Sequence, residues 1–498
     1  MTRFRKGDAV QHAGYGRGTV TGVRIDGYEV RVTFGSFSLW IPTRELERAP
    51  GGLRMVGAPP PPERRPGDRT SFEAILRLLT GEPEPAPPRD PDAPAPRETG
   101  RRPRPRPEPR FRPAHQARTV RDSTAIEAFR LGIVPLRHVT DWTVGREREI
   151  AQLRAFLNDH AEGAVLIEGA YGAGKSHLLQ VLAHDAASMG FATATAGFDP
   201  SEATAAFPKK AYRRLARSLA VPLDGRTLDF RGFWTEVAAR PAWRDALGDH
   251  WLFGPFLARL AKGRADEDDW EHVEARGRSD PRRATLHDYS TCANLYANLL
   301  TAMARAAVEV LGLSGLAVLL DEAEVARNTM YRYQALRGVN FFRGLVLAAN
   351  DDPALLDEEV SRRDATTVGA ETGLVYSGHH PVRYTTGIPA GLKVAFALTP
   401  GSLQEEFRRT RETIPRIELD VLGYDQLRQL FDRIADTFAG VYGVRPTKDA
   451  RDRMFRLLAT ADRVSSTRGF IKGAIESLDF LRFYPEGDVE ALILDGQA

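Results

Sequence analysis

The chain has 498 residues, enough for more than one domain, and 42% of them are hydrophobic, enough for a sizeable core. Its 69 lysines and arginines nearly balance 66 acids, and a net charge of +3 sets up no global basic field that would demand nucleic acid. The single cysteine, Cys292, excludes an intramolecular disulfide and a cysteine-cluster metal site, and no run approaches the roughly 20 apolar residues of a membrane span.

The opening residues, Met1 to Asp8, carry no apolar core of signal-peptide length. With one cysteine, this gives the expectation of a cytoplasmic protein with no membrane partner. Residues 4–48 alternate apolar and polar positions between glycine turns, as in Tyr28 to Phe34 and Ser38 to Pro42. Four or five short strands at such close spacing predict a small antiparallel barrel over residues 1–49. The stretch Gly7 to Val20, with His12-Ala13-Gly14-Tyr15-Gly16 at its turn, resembles the Tudor-like barrels of CarD-type RNA-polymerase-binding domains and UvrD-type helicase C-termini. That resemblance implies docking onto protein or nucleic acid without chemistry; the alternative is a barrel that only stabilises the N-terminus.

Residues 50–118 read as a linker. Pro59 to Pro62 and Pro103-Arg104-Pro105-Arg106-Pro107 favour extended chain and cannot build a core. One island near 71–80, Ser71 to Leu79, has an N-cap and a helical apolar stripe. Arg101 to Arg106 is basic and would hold phosphates without reading sequence, or act as a solvated spacer.

A second body, an α/β core over 119–420, follows. Ser123 to Leu131 predicts a helix ended by Gly132 and Pro135, and Val144-Gly145-Arg146-Glu147-Arg148-Glu149-Ile150 leads into another through Phe156. Next comes an apolar run, Ala164 to Glu168, then Gly169-Ala170-Tyr171-Gly172-Ala173-Gly174-Lys175-Ser176, and then a helical pattern that opens with Ser176 and His177. Strand, glycine loop and helix is the setting a G-x-x-x-x-G-K-S phosphate loop needs. Glycines let backbone N–H groups face a polyphosphate, and the helix N-terminus adds its dipole. In this reading Gly169 to His177 bind nucleotide, Lys175 reaches the β- and γ-phosphates of ATP, and the Ser176 hydroxyl ligates Mg²⁺.

Phe191 to Ala196 reads as a second strand, and a mostly helical insertion is expected near 201–310, with Ala265-Asp266-Glu267-Asp268-Asp269 as an exposed loop. Leu316 to Leu320 then ends in Asp321-Glu322-Ala323-Glu324, the Walker B pattern: a buried strand whose acids emerge at its carboxyl end. Asp321 would hold Mg²⁺, and Glu322 would orient and deprotonate the attacking water. Arg327 to Arg337 combines basic and aromatic residues and reads either as a base-stacking face or as an amphipathic helix. Residues 351–390 give no clear pattern; His379 and His380 are adjacent but lack a third ligand at metal-binding spacing. Leu392 to Leu398 predicts the strand beside Walker B. Three helices, Tyr424 to Phe438, Lys448 to Ala461 and Gly469 to Phe483, follow in residues 421–498.

These motifs together resemble AAA+ and related STAND ATPases. Val144 and Gly145 stand where such proteins carry an element near the adenine. Thr399, just after the strand, stands at the sensor 1 position. Arg416, then Arg411, are the candidates for an arginine finger reaching a neighbouring subunit. Arg468, in Ser466-Thr467-Arg468-Gly469, resembles sensor 2 in a helical lid. About 145 residues separate Ser176 from Asp321, which implies the large insertion. With the lead-in Ala125 to Pro135, the chain over roughly residues 120–485 resembles the BREX (bacteriophage exclusion) ATPase family BrxC/BrxD, BrxD more closely. That resemblance implies an Mg²⁺-dependent ATPase of an anti-phage system, a homo-oligomer working with DNA and with a helicase or other defence protein. The alternative is an ATP-gated binding switch or helicase loader with little turnover. A helicase is disfavoured, despite the DExx-like Asp321 to Glu324, because a second motor domain is not seen.

Overall fold

The structure, a computed structural model, describes residues 4, 8–12, 16–23, 29–34, 37–42, 46–48, 120–133, 135, 139–199, 205–276, 286, 293–326, 332–363, 366–411, 413–460, 466–485 and 487. The linker with its island at 71–80, the basic run 101–106, Arg327 to Tyr331 and Cys292 lie outside them. The chain divides into two units, Met1–Pro103 and Arg104–Ala498.

In the first unit β1 (Ala9–His12), β2 (Gly16–Val23), β3 (Glu29–Phe34), β4 (Phe37–Pro42) and β5 (Leu46–Arg48) form one antiparallel sheet in the order β4-β3-β2-β1-β5. Val10, Val20 and Val32 are buried from three neighbouring strands, as period-2 alternation requires. The register shifts between Val20 and Gly22, a bulge that bends β2.

The second unit opens with α1 (Val120–Arg130), α2 (Glu147–Asn158), β6 (Ala164–Gly169), α3 (Lys175–Ser188) and β7 (Phe191–Gly197). An insertion follows: α4 (Pro208–Ser218), the hairpin β8 (Val221–Leu223) and β9 (Arg226–Leu228), α5 (Phe230–Ala239), α6 (Trp243–Leu247), α7 (Phe253–Leu260), α8 (Glu267–Val273) and α9 (Ala293–Arg305). Then come β10 (Gly315–Asp321), α10 (Arg332–Ala349), α11 (Ala354–Asp357), β11 (Val360–Arg363), β12 (Thr366–Gly369), β13 (Val375–Tyr376), β14 (Leu392–Leu398), α12 (Gln404–Thr410) and β15 (Arg416–Leu419). Three helices close it: α13 (Tyr424–Tyr442), α14 (Lys448–Thr460) and α15 (Thr467–Phe483).

A parallel sheet in the order β15-β6-β14-β10-β7 organises this unit. Its strands are apolar on both faces because helices cover both. Leu166, Val318 and Phe396 point into the core shared with the insertion, while Val165, Leu319 and Ala395 join the core under α2 and α3. The register pairs Gly169 with Leu419, Glu168 with Leu398, and Asp321 with Gly197. The phosphate loop, the Walker B acids and Thr399 therefore leave the sheet at one edge, the carboxyl ends of the strands. Strand order, loop and acids make this an AAA+-like P-loop ATPase fold.

One expectation needs correction. Ala265 to Asp269 is exposed at Asp266 to Asp268 but is not wholly a loop, because α8 begins at Glu267. Asp266 N-caps α8 in a reciprocal capping box with Asp269, and Asp269 is buried and bonded to Arg259 at 2.8 Å. The insertion is mostly helical, with one hairpin in which β8 and β9 pair across Asp224-Gly225. The unreadable region carries a small antiparallel sheet, β11-β12-β13, in which Glu358 accepts from the Tyr376 hydroxyl at 2.6 Å. His380 stacks on Trp251 at 6.4 Å, and among the described residues no three His, Cys, Asp or Glu are grouped so that they could hold a metal ion.

The last three helices share a core with α1. Ala125, Ile126 and Phe129 pack with Phe431, Phe455, Phe470 and Leu478. Arg130 fixes the join by two 2.8 Å bonds to Asp479. The lead-in helix thus packs with the helices of 421–498. Among the described residues, no helix is long and apolar enough to cross a membrane.

Candidate functional site

A cleft of about 380 Å³ lies where the phosphate loop, the end of β10 and the last helices meet. Its size suits a small ligand. Gly172 and Gly174 take φ of +77° and +107°, a left-handed backbone that side chains resist, and this bends the loop around the start of α3. No side chain caps α3 at Gly174, which leaves its first-turn N–H groups for an anion.

Lys175 is buried and donates to the carbonyls of Gly169 at 2.7 Å and Ala170 at 3.2 Å. Burial lowers its pKa; the charges of Glu324, Asp321 and Glu322 oppose that shift. Gly169 and Ala170 thus lie beneath the cleft, while Tyr171 to His177 line it. The His177 ring meets the Thr143 hydroxyl at 2.8 Å, and that hydroxyl donates to the Val139 carbonyl at 3.0 Å. Thr143 has one proton to give, so His177 Nε2 is the donor between them. Burial first, then the charge of Arg146, pushes the His177 pKa down to about 4, so the ring is neutral at pH 7.

Asp321, Glu322 and Glu324 form the acidic wall. Glu322 has φ of 54°, a left-handed conformation unusual for a residue with a side chain. Such an outlier costs about 1–3 kcal/mol and is typical of functional sites. Its N–H donates to Asp321 Oδ1 at 3.0 Å. Burial, then the charges of Asp321 and Glu324, raise the Glu322 pKa. This favours a carboxylate able to take a proton.

The other end of the cleft is apolar, with Phe129, Ile133, Trp142, Val144, Leu422 and Ile471 in its walls. Phe129 and Trp142 meet edge to face at 4.7 Å. Gly145 stands behind this wall, its carbonyl 3.5 Å from Gln426 Nε2. An apolar slot joined to a glycine loop is an arrangement that could take a nucleobase and its polyphosphate. Ser176 and Asp321 carry side-chain oxygens of the kind Mg²⁺ prefers and could hold it.

Sequence reasoning missed Arg146 as a fastener. It is buried, donates to the carbonyls of Ala173 at 3.0 Å and Asp420 at 2.6 Å, and pairs with Glu149 at 3.1 Å. It ties the phosphate loop to the segment after β15. The apolar wall was missed too, because its members lie far apart in sequence.

Arg468 reaches the cleft from the start of α15, with Nη1 donating to the Tyr171 hydroxyl at 2.7 Å. Thr399 follows β14 at the correct sheet edge but is not among the residues lining the cleft; its carbonyl accepts from Ser402. Arg411 and Arg416 stand apart. Arg411 pairs with Glu162 at 3.3 Å. Arg416 opens β15, which runs parallel to β6, so it sits at the strand end away from the phosphate loop.

Residues 118–227 match the model of a family described as "BREX system ATP-binding protein BrxC/D". The match spans α1, the Val144-Gly145-Arg146-Glu147 element and the phosphate loop. No curated protein matches the sequence. Among solved structures the chain aligns with "Replication initiator DnaA bound to AMPPCP and single-stranded DNA" at 12% identity, covering 70% of this chain and 66% of that one, with a TM-score of 0.31. A DNA replication initiation factor gives 12% identity, 72% and 67% coverage, and 0.33. The Aeropyrum pernix ORC2 protein, in ADPNP–ADP complexes, gives 14%, 72% and 69%, and 0.30. The chain spans about two thirds of the length of each. All three scores are below 0.5, and the architecture above stands on strand order and register.

Proposed function

We propose that the protein is an Mg²⁺-dependent ATPase of a BREX-type anti-phage system, whose nucleotide state drives assembly or remodelling of a DNA-bound complex. The observation that carries this is the convergence of Lys175, Ser176, Asp321, Glu322 and Arg468 on one cleft with an apolar end. The family match over residues 118–227 supports the defence assignment.

In this reading the adenine lies in the slot walled by Trp142, Val144 and Ile471, and the polyphosphate lies on the backbone of Gly172 to Ser176. Lys175 leaves the loop carbonyls for the β- and γ-phosphates. Ser176 and Asp321 hold Mg²⁺, whose charge offsets that of the phosphate oxygens. Glu322 accepts the proton of the attacking water as its oxygen bonds the γ-phosphorus and the bond to ADP breaks. Thr399, at the end of the neighbouring strand and outside the cleft lining, would have to turn toward the cleft to contact that water or the γ-phosphate. Arg416, exposed at the start of the edge strand β15, is the first candidate for a finger reaching a neighbouring copy in a homo-oligomer. Arg411, held by Glu162, is the second choice.

The test is ATP turnover by the whole protein with and without double-stranded and single-stranded DNA, alongside Glu322→Gln. DNA-stimulated turnover that the variant loses supports a remodelling ATPase. Tight ATP binding without turnover would move the assignment to an ATP-gated switch acting on a protein partner.

A further inference from the structure

The ATP-binding reading gives Arg468 a task but leaves Tyr171 without one. Tyr171 occupies one of the x positions of the G-x-x-x-x-G-K-S pattern and is 71% exposed, so neither the pattern nor burial accounts for it. It makes two contacts with one partner. The Arg468 guanidinium lies over its ring at 5.0 Å, and Arg468 Nη1 donates to its hydroxyl at 2.7 Å. Loop and helix also touch through the backbone. The Arg468 N–H donates to the Gly172 carbonyl at 3.4 Å. A Cβ on Gly172 would stand 2.7 Å from Cβ of Ser466, the residue that caps α15. A side chain at 172 would push the helix off the loop.

We propose that Tyr171 is a positioning residue for Arg468, an aromatic rest on the phosphate loop that holds the guanidinium facing the terminal phosphates. The proposal rests on the reading of the cleft as an ATP site. Its chemistry is that of a planar cation on an aromatic face with one hydrogen bond to fix rotation. One of the five guanidinium N–H groups goes to Tyr171, and the others remain for phosphate oxygens. From this position the charge of Arg468 already acts on both Lys175 and Glu322. Because Tyr171 belongs to the loop and Arg468 to the last helix, whatever moves the loop also moves the helix. A γ-phosphate is thereby read at the helix bundle, and ADP, which lacks it, loosens that grip.

The experiment is a double-mutant cycle on the full chain, with Tyr171→Ala, Tyr171→Phe, Arg468→Ala and the Ala/Ala pair. Equilibrium affinities for ATP and ADP are measured with fluorescent analogues, and kcat and KM by phosphate release. Tyr171→Ala is expected to lose roughly 5- to 30-fold in ATP affinity or turnover, with ADP affinity held. Tyr171→Phe, which keeps the ring and loses the hydroxyl, should fall between. The pair should be no worse than Arg468→Ala alone. Additive losses, or equal losses for ATP and ADP in Tyr171→Ala, overturn the proposal while leaving the ATP site intact. Wild-type protein that binds no more ATP than Lys175→Ala would overturn the site assignment and this inference with it.

Discussion

Lys175 shows how one residue sets the expectation for the whole site. Its ammonium satisfies two loop carbonyls, burial disfavours its charge, and three acids across the cleft oppose that effect. Removing it leaves the loop without its cation, so Lys175→Ala should abolish ATP binding in equilibrium dialysis; unchanged affinity would reject the phosphate-loop assignment. Glu322→Gln keeps the shape and loses the base, so binding should persist while turnover falls at least about 100-fold. A third residue, His250, belongs to stability rather than chemistry. Its Nδ1 accepts from the N–H groups of Leu252 and Phe253 at 3.1 and 3.0 Å, and its Nε2 meets Asn298 Oδ1 at 3.0 Å. A proton on Nδ1 would face two donors, and burial pushes the pKa down to about 4 from the ordinary 6.5. The unfolded chain therefore binds the proton first as pH falls. The stability His250 provides is complete above pH 6.5 and is lost as pH falls through 4, roughly 3 kcal/mol in all. His250→Asn, which keeps an acceptor without a titrating ring, should flatten this slope in urea unfolding between pH 7 and 4. Parallel curves would contradict the assignment.

At the scale of elements, the sequence was legible where one local pattern carries the structure. Val165 and Ile167 before the glycines, and Leu319 and Leu320 before Asp321, predict β6 and β10 because a strand buried on both faces must be apolar throughout. The phosphate loop, Walker B and the three closing helices follow from similarly local signals. Other features were written locally but not read. Asp224-Gly225, with φ of 50° and 73°, is a two-residue turn that predicts the β8–β9 hairpin. Asp266 and Asp269 sit in a charged run that suggests an exposed loop, although an acid three residues after an N-cap marks a helix start. Replacing Asp266 by Ala should cost about 1 kcal/mol. Amide exchange should accelerate in α8 and stay unchanged in α3; uniform protection would remove its role as a cap. What local reading cannot supply is distance in sequence. Nothing near Arg146 indicates that it will bond Asp420, and nothing near Phe129 indicates that it will face Trp142 and pack with Phe431.

On the scale of the whole second unit, the cleft is shared by two cores, one under the sheet and one among α1, α13, α14 and α15. A ligand that contacts both should stabilise both. ATP at about 100 times its Kd should add roughly 2.7 kcal/mol. Thermal unfolding followed by a probe in α14 should shift together with one in α3, and neither should shift in Lys175→Ala. Movement of one alone would show that the ligand bridges nothing. The join between Arg130 and Asp479 spans 349 positions of sequence, and this shapes how the chain is made. A ribosome adding about 5–20 residues per second releases α1 tens of seconds before its partners exist. During that interval Ile126 and Phe129 have no core of their own, and the nascent chain carries a finished phosphate loop without its roof. Synthesis that stops early, at any point before α15, yields a protein without Arg468, the apolar slot's Ile471 or the Asp479 that holds α1 through Arg130. The cleft is thus completed only once α15 has been made, because Arg468 and Ile471 of its lining come from that helix.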